Sequence, residues 1–258
     1  MDTGLFFERI GLPADTKIEH TVEFLGKIQS GAVTHIAYEN LDILAGKPLK
    51  LDYASLKEKI VMRRRGGYCF ELNGFLSGVL SEMGFCVKER FARFLRGEKE
   101  IPMRRHRVTV VELNGKKYLL DIGVGQIAPR FPLLISENEI QKQGEETYRF
   151  TKDVRHGWIL WDMKDGAWRE YIAFTDDDAY EIDFVQPSFF CEKHPESVFN
   201  KQKMLSIKTE KGRKTVDGDT YKVFEGETLV YIEENVPKEK MIRILREEFL
   251  LNIGEGNV

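Results

Sequence analysis

Cysteine attacks carbon as a thiolate, and of the three cysteines in the chain Cys69 has the setting that favours that form. It follows Arg65-Gly66-Gly67-Tyr68, where two glycines let the backbone turn sharply. After it, Phe75, Leu76, Val79, Leu80 and Met83 recur at three- and four-residue spacing, which predicts a helix stopped by Gly84. Cys69 then sits on the first helical turn, where unpaired N–H groups and the positive dipole end lower a thiol pKa. The competing expectation is a small buried apolar cysteine, the commoner fate of the residue. A base elsewhere in the chain would decide between them.

His106 to Gly123 supplies one. Asn114-Gly115 between two strand-like runs is the strongest short-range hairpin signal, a two-residue type I′ turn. A two-residue loop sets Leu113 opposite Lys116, Glu112 opposite Lys117 and Val110 opposite Leu119, and by extension Val108 opposite Asp121. Side chains alternate, so His106, Val108, Val110, Leu119 and Asp121 share a face. His106 and Asp121 become diagonal neighbours about 7–8 Å apart at the backbone, within side-chain reach. An aspartate that accepts a ring N–H fixes the imidazole tautomer and leaves the other nitrogen for a thiol. A one-residue slip would separate them.

Helices are expected around these strands. Ile18, Val22, Leu25 and Ile28 form a stripe that Gly31 ends, and Asp52 caps a short helix carrying Leu56 and Ile60. Beyond Gly84 the pattern becomes strands with turns every eight to twelve residues, which predicts an antiparallel sheet or small barrel. Residues 184–203 read as an irregular connector broken by Gln186-Pro187 and His194-Pro195. Strands resume at Met204, and a final helix opens near Asn235 with Ile242, Leu245 and Phe249 on one side. Helices, then sheet, then a mixed tail is an α+β layout.

With 42% hydrophobic and 31% charged residues, the 258-residue chain reads as ordinary and globular. A net charge of −3 argues against nucleic acid as a partner. No apolar run reaches the roughly 18 residues that span a bilayer, so no membrane partner is expected. The first residues lack a basic segment followed by an apolar one, and three cysteines without paired spacing suit neither a disulfide framework nor a metal site. Cytoplasmic is the expected location, Cys86 and Cys191 are expected as buried filler, and the oligomeric state is left open. Gly123 to Ala128 formally fits G-x-G-x-x-A, but Pro129 and Pro132 prevent the helix that a dinucleotide fingerprint must open.

Arg65-Gly66-Gly67-Tyr68-Cys69-Phe70-Glu71-Leu72-Asn73 strongly resembles the active-site motif of the arylamine N-acetyltransferases. His106 and Asp121-Ile122-Gly123-Val124-Gly125 fall where that family places its other triad members. Tyr38-Glu39-Asn40-Leu41-Asp42, Phe6 to Gly11 and His194 to Phe199 also resemble family stretches, and the similarity thins after about residue 200. The resemblance implies an α+β fold with a papain-like Cys-His-Asp triad. Its parts would be an N-terminal helical bundle (1–84), a central antiparallel β-barrel (85–185), an interdomain connector (186–206) and a C-terminal α/β lid (207–258).

It also implies ping-pong acetyl transfer from acetyl-CoA as co-substrate, through a Cys69 thioester, to arylamines, hydrazines or arylhydroxylamines. Tyr38, Phe94 and Val124 correspond to its acceptor pocket. Positions 38 and 124 are often Phe there, so a hydroxyl is gained at one and width at the other. Arg9, Glu39 and Arg64 are implied as a buried charge network holding the cysteine loop. Arg104 and Arg105, in a basic cluster with Arg93, Arg96 and Arg107, are implied for the CoA phosphates. No metal is implied. The alternative is a thiol-triad amide synthase or hydrolase, since papain- and transglutaminase-like enzymes share the Cys-His-Asp logic.

Overall fold

The computed structural model describes residues 3–254. Met1, Asp2 and residues 255–258, the outer ends of the expected bundle and lid, lie outside them. The chain begins with α1 (Thr3–Arg9), α2 (Val22–His35), the two-residue strand β1 (Tyr38–Glu39), α3 (Leu41–Leu44), α4 (Tyr53–Lys57) and α5 (Cys69–Glu82). A π-helical turn, Glu58–Met62, continues α4. The Thr21 hydroxyl accepts the Phe24 N–H at 3.1 Å and the Asp52 carboxylate accepts the Ser55 N–H at 2.9 Å, so both helix starts are capped by side chains. α5 stops before Gly84, whose φ of +85° suits glycine alone among the common residues. Phe6, Phe7, Phe24, Leu72, Phe75 and Leu76 bury the apolar faces of these helices together.

The α2 expectation needs correcting. Ile18 precedes the helix and Gly31 does not end it. A Cβ at Gly31 would stand 2.6 Å from the Ile10 carbonyl oxygen, so this glycine permits a close crossing of two segments.

The barrel strands are β2 (Cys86–Phe94), β3 (His106–Leu113), β4 (Lys116–Leu120), β5 (Leu133–Leu134), β6 (Gln141–Gln143), β7 (Glu146–Asp153), β8 (Gly157–Lys164) and β9 (Ala167–Phe174). They form one antiparallel sheet in the order β5-β4-β3-β2-β9-β8-β7-β6. Side chains join its two edges: Gln141 bonds both ways to the Leu134 backbone and Gln143 to that of Phe131. Alternate residues, among them Val108, Val110, Leu119, Phe150 and Leu160, fill the interior.

The stretch expected as an irregular connector, 184–203, carries α6 (Val185–Lys193). Pro187 lies in the first turn of α6, where its missing N–H is no loss, and Pro195 lies just beyond the helix end. The last segment holds β10 (Met204–Lys208), β11 (Gly212–Asp217), β12 (Thr220–Glu225), β13 (Thr228–Glu233) and α7 (Lys238–Glu247). α7 starts after Pro237 rather than at Asn235, which adopts a left-handed φ of +53°, and Phe249 packs from beyond its end. The second sheet runs β1-β10-β11-β12-β13. Its first strand comes from the helical third of the chain, with Tyr38 opposite Ser206 and Glu39 opposite Leu205.

Candidate active site

The β3–β4 hairpin has the expected register: Leu113 faces Lys116, Glu112 faces Lys117 and Val110 faces Leu119. Asn114 and Gly115 both take positive φ, as a type I′ turn requires. Carried past the turn, that register brings His106 Nε2 to 2.7 Å from Asp121 Oδ2, with both residues buried. Nδ1 is therefore the imidazole nitrogen left for another partner.

The second Asp121 oxygen is held as firmly. Oδ1 accepts the Asn73 side-chain N–H and the Gly123 backbone N–H, each at 2.9 Å. Asn73 also accepts the Ile122 N–H at 2.9 Å and donates to the Arg107 carbonyl. Asn73 lies four residues after Cys69, one turn along the same helix face, so the helix that carries the thiol also grips the carboxylate. Its role was missed in the sequence, although the i, i+4 spacing from Cys69 was there to find.

Cys69 is the first residue of α5 and is buried, with Sγ 3.7 Å from the Arg105 carbonyl oxygen. The glycines around it serve contact rather than turning. Neither Gly66 nor Gly67 has positive φ; a Cβ on Gly66 would come within 2.0 Å of the Ala37 carbonyl oxygen. A Cβ on Gly123 would come within 2.7 Å of Cys69 Cα. The expected low thiol pKa is overturned. Burial pushes the thiol well above its ordinary value, and Cys191 and Asp121 add to the rise. The Phe70 N–H at the helix start opposes it and is outweighed.

Cys69 and His106 share the wall of a cavity of about 610 Å³ between the barrel and the five-stranded sheet. Tyr38, Phe94 and Val124 line the same space, so the three expected acceptor positions meet there. The expected basic cluster divides. Arg96 and Arg105 line the cavity, whereas Arg104 is exposed and outside its wall. Arg107 is buried against Glu89 with its guanidinium 4.4 Å from the Phe184 ring, and Arg96 is paired with Asp162. Cys86, expected as buried filler, is exposed, while Cys191 is buried near Cys69. Among the described residues no group of three or more His, Cys, Asp or Glu could hold a metal ion. No described helix is long and apolar enough to cross a membrane.

The sequence model of the N-acetyltransferase family matches residues 21–258. An arylamine N-acetyltransferase of Mycobacterium tuberculosis is 32% identical over 224 residues, covering 84% of this chain and 78% of that protein. The chain belongs to the arylamine N-acetyltransferase family. It is an acyltransferase by that membership. Two solved members of the family have the same fold. The Mycobacterium tuberculosis structure aligns over 100% of this chain and 96% of its own with a TM-score of 0.92 at 28% identity. The Mycobacterium marinum enzyme in complex with CoA aligns over the same shares with a TM-score of 0.91 at 27% identity.

The charge network expected beneath the cysteine loop exists, with one substitution of membership. Arg65, not Arg64, pairs with Glu39 at 2.7 Å and with Asp42 at 3.2 Å. Lys59 bridges Asp42 at 2.8 Å and Glu71 at 2.7 Å, and Glu71 accepts the Tyr68 N–H at 3.3 Å. Arg64 is exposed at a left-handed φ of +47°, between an exposed Arg63 and a buried Arg65. Arg9 is buried and donates to the carbonyls of Ile60, His35 and Arg65, so it braces the same loop through backbone.

Proposed function

We propose that the chain transfers acetyl from acetyl-CoA to arylamines, hydrazines or arylhydroxylamines, by a ping-pong route through a Cys69 thioester. The observation that carries this is the 2.7 Å His106–Asp121 pair on the cavity that Cys69 also lines. Family membership supplies the acyl-transfer class, and a relative solved with CoA supports the donor. Cys69 is the nucleophile, His106 the proton carrier and Asp121 the residue that orients and stabilises the imidazolium.

In the first half-reaction His106 Nδ1 takes the Cys69 proton as sulfur attacks the thioester carbon. The imidazolium then returns that proton to the departing CoA sulfur. In the second, an amine nitrogen attacks the Cys69 thioester, His106 takes the amine proton, and the thiol is restored. Because burial disfavours a standing thiolate, proton transfer accompanies attack, and the high thiol pKa makes the sulfur more nucleophilic once formed. The Cys69 N–H at the start of α5 is the candidate donor to the oxyanion. Tyr38, Phe94 and Val124 line the acceptor site, and Arg105 is the better placed of the two arginines named for phosphate.

The functional parts on this reading are residues 1–84, 85–185, 186–206 and 207–258, with the thiol from the first and the His–Asp pair from the second. Free thiols at Cys69, Cys86 and Cys191 support a cytoplasmic setting. The test is labelling. Acetyl-CoA should acetylate Cys69 stoichiometrically, and an aniline should release the acetyl group much faster than water does. An unlabelled protein that still cleaves amides would overturn the reading in favour of a hydrolase.

A further inference from the structure

Four polar side chains cross the five-stranded sheet in one row. Tyr38 on β1 faces Ser206 on β10, Ser206 faces Thr215 on β11, and Thr215 faces Lys222 on β12. Directly opposed residues project from the same face of a sheet. All four line the catalytic cavity. Ser206 and Thr215 are buried. Among the described residues none of the four side chains makes a hydrogen bond or ion pair with the protein. The buried hydroxyls of Ser77, Thr109, Ser188 and Ser197 do find partners, which is the rule for buried polar atoms. The row is polar, enclosed and unspent.

We propose that this row is the track for the pantetheine arm of acetyl-CoA, with Lys222 at its outer end meeting the phosphates. The inference rests on the acetyl-CoA reading above and adds the residues that hold the donor. Length decides in its favour. Three strand spacings of about 4.8 Å carry the row about 14 Å from Tyr38, beside the thiol, to Lys222. The arm between the sulfur and first phosphorus of CoA is about thirteen bonds, about 15 Å at full extension by the reach of a peptide chain. A carboxylate on a one-ring acceptor stands less than half that distance from its amine, too short to reach Lys222 while the amine meets Cys69.

The chemistry matches in order. The arm has two amides, which need donors and acceptors part-way along, and the Ser206 and Thr215 hydroxyls offer both. Its far end is anionic, and Lys222 is an ammonium with no carboxylate within ion-pairing distance among the described residues. The Tyr38 hydroxyl, an addition relative to the phenylalanine often found there in the family, begins the row at the reacting end.

Ping-pong kinetics isolate the donor half, so the test compares acylation of Cys69 by two donors in wild type, Lys222→Ala and Lys222→Arg. With acetyl-CoA, kcat/KM should fall about tenfold in Lys222→Ala and recover in Lys222→Arg, and its dependence on salt should weaken. With 4-nitrophenyl acetate, which has neither arm nor phosphate, the acylation rate should hold. An equal fall with both donors would make Lys222 a structural residue and overturn the proposal. No fall with acetyl-CoA, or a fall confined to carboxylate-bearing acceptors in the second half-reaction, would overturn it as well. Wild-type protein that acetyl-CoA fails to acylate would instead remove the function on which the proposal stands.

Discussion

Tyr38 and Glu39 are consecutive residues on a two-residue strand, and they lead into opposite kinds of polar interior. Glu39 turns into the support beneath the cysteine loop, where it pairs with Arg65 and accepts the Leu41 N–H at 2.7 Å. There Glu39, Asp42, Lys59, Arg65 and Glu71 each have a partner of opposite sign. Tyr38 turns into the cavity, at the head of a row whose side chains have no hydrogen-bond or ion-pair partner among the described residues. Both regions bury polar atoms and both touch the Cys69 loop. The difference is that every charge of one set is paired within the fold, only Arg65 Nε going without a hydrogen bond, and the other set is left for substrate. Paired groups fix where the loop lies; unpaired ones lower the free energy of the complex.

The largest effects should come where the two regions meet. Cys69→Ala should reduce acetyl transfer by about 10⁴-fold or more while leaving the urea midpoint near that of wild type, because the thiol carries chemistry and no network bond. Substantial turnover in that variant would remove the nucleophile from the scheme. Asp121→Asn should cost about 10³-fold in kcat/KM by loss of the imidazolium partner. The same variant tests the thiol. Burial raises the Cys69 pKa, and in the proposed scheme His106 takes the thiol proton as sulfur attacks. Iodoacetamide inactivation should therefore move to higher pH in Asp121→Asn. Asp121 also adds a smaller upward push of its own to the thiol, so a shift to lower pH would show that field to dominate over the relay.

Below the loop the expected losses are in stability. Burial alone would raise the Asp42 carboxyl, but Lys59, Arg65 and Lys47 outweigh it and hold the group well below the usual carboxylate range. A depressed carboxyl pKa stabilises the fold above the unfolded value of about 3.9, and the contribution is lost as pH falls further. Asp42→Asn should cost about 3 kcal/mol in urea unfolding at pH 7, since it strands buried cations. It should also flatten the loss of stability below about pH 4. Equal acid sensitivity in variant and wild type would take Asp42 out of the network's stabilising role.

The two regions were unequally legible. The hairpin could be calculated because Asn114-Gly115 fixes a register, and a period of two then carries His106 and Asp121 to one face. The cysteine helix was legible from its apolar spacing and from Gly84. Arg65 was displaced by Arg64 because which of two adjacent arginines points inward depends on a left-handed φ that the sequence does not mark. The thiol pKa was misjudged because a helix start is local, whereas burial and the added push of the Cys191 sulfur depend on residues more than a hundred positions away. α6 was hidden because Pro187 falls in a first turn, where proline is harmless. The polar row was out of reach for a further reason: its residues lie on four strands, brought level only by the pairing of β1 with β10.

The smallest predicted effects separate the two kinds of buried polarity most sharply. Thr109 and Thr215 are both buried strand threonines. The Thr109 hydroxyl bonds Ser77 at 2.8 Å and the Asn73 carbonyl at 3.3 Å, whereas that of Thr215, on the cavity wall, has no hydrogen-bond partner among the described residues. Thr109→Val should therefore cost about 1–2 kcal/mol by stranding its partners. Thr215→Val, the same change of atoms, should leave urea stability within about 0.5 kcal/mol and raise KM for acetyl-CoA about threefold. Ser206→Ala should behave like Thr215→Val. If Thr215→Val instead destabilised the fold as much as Thr109→Val, its hydroxyl would be serving the protein. The row would then belong with the network under the loop rather than with the substrate.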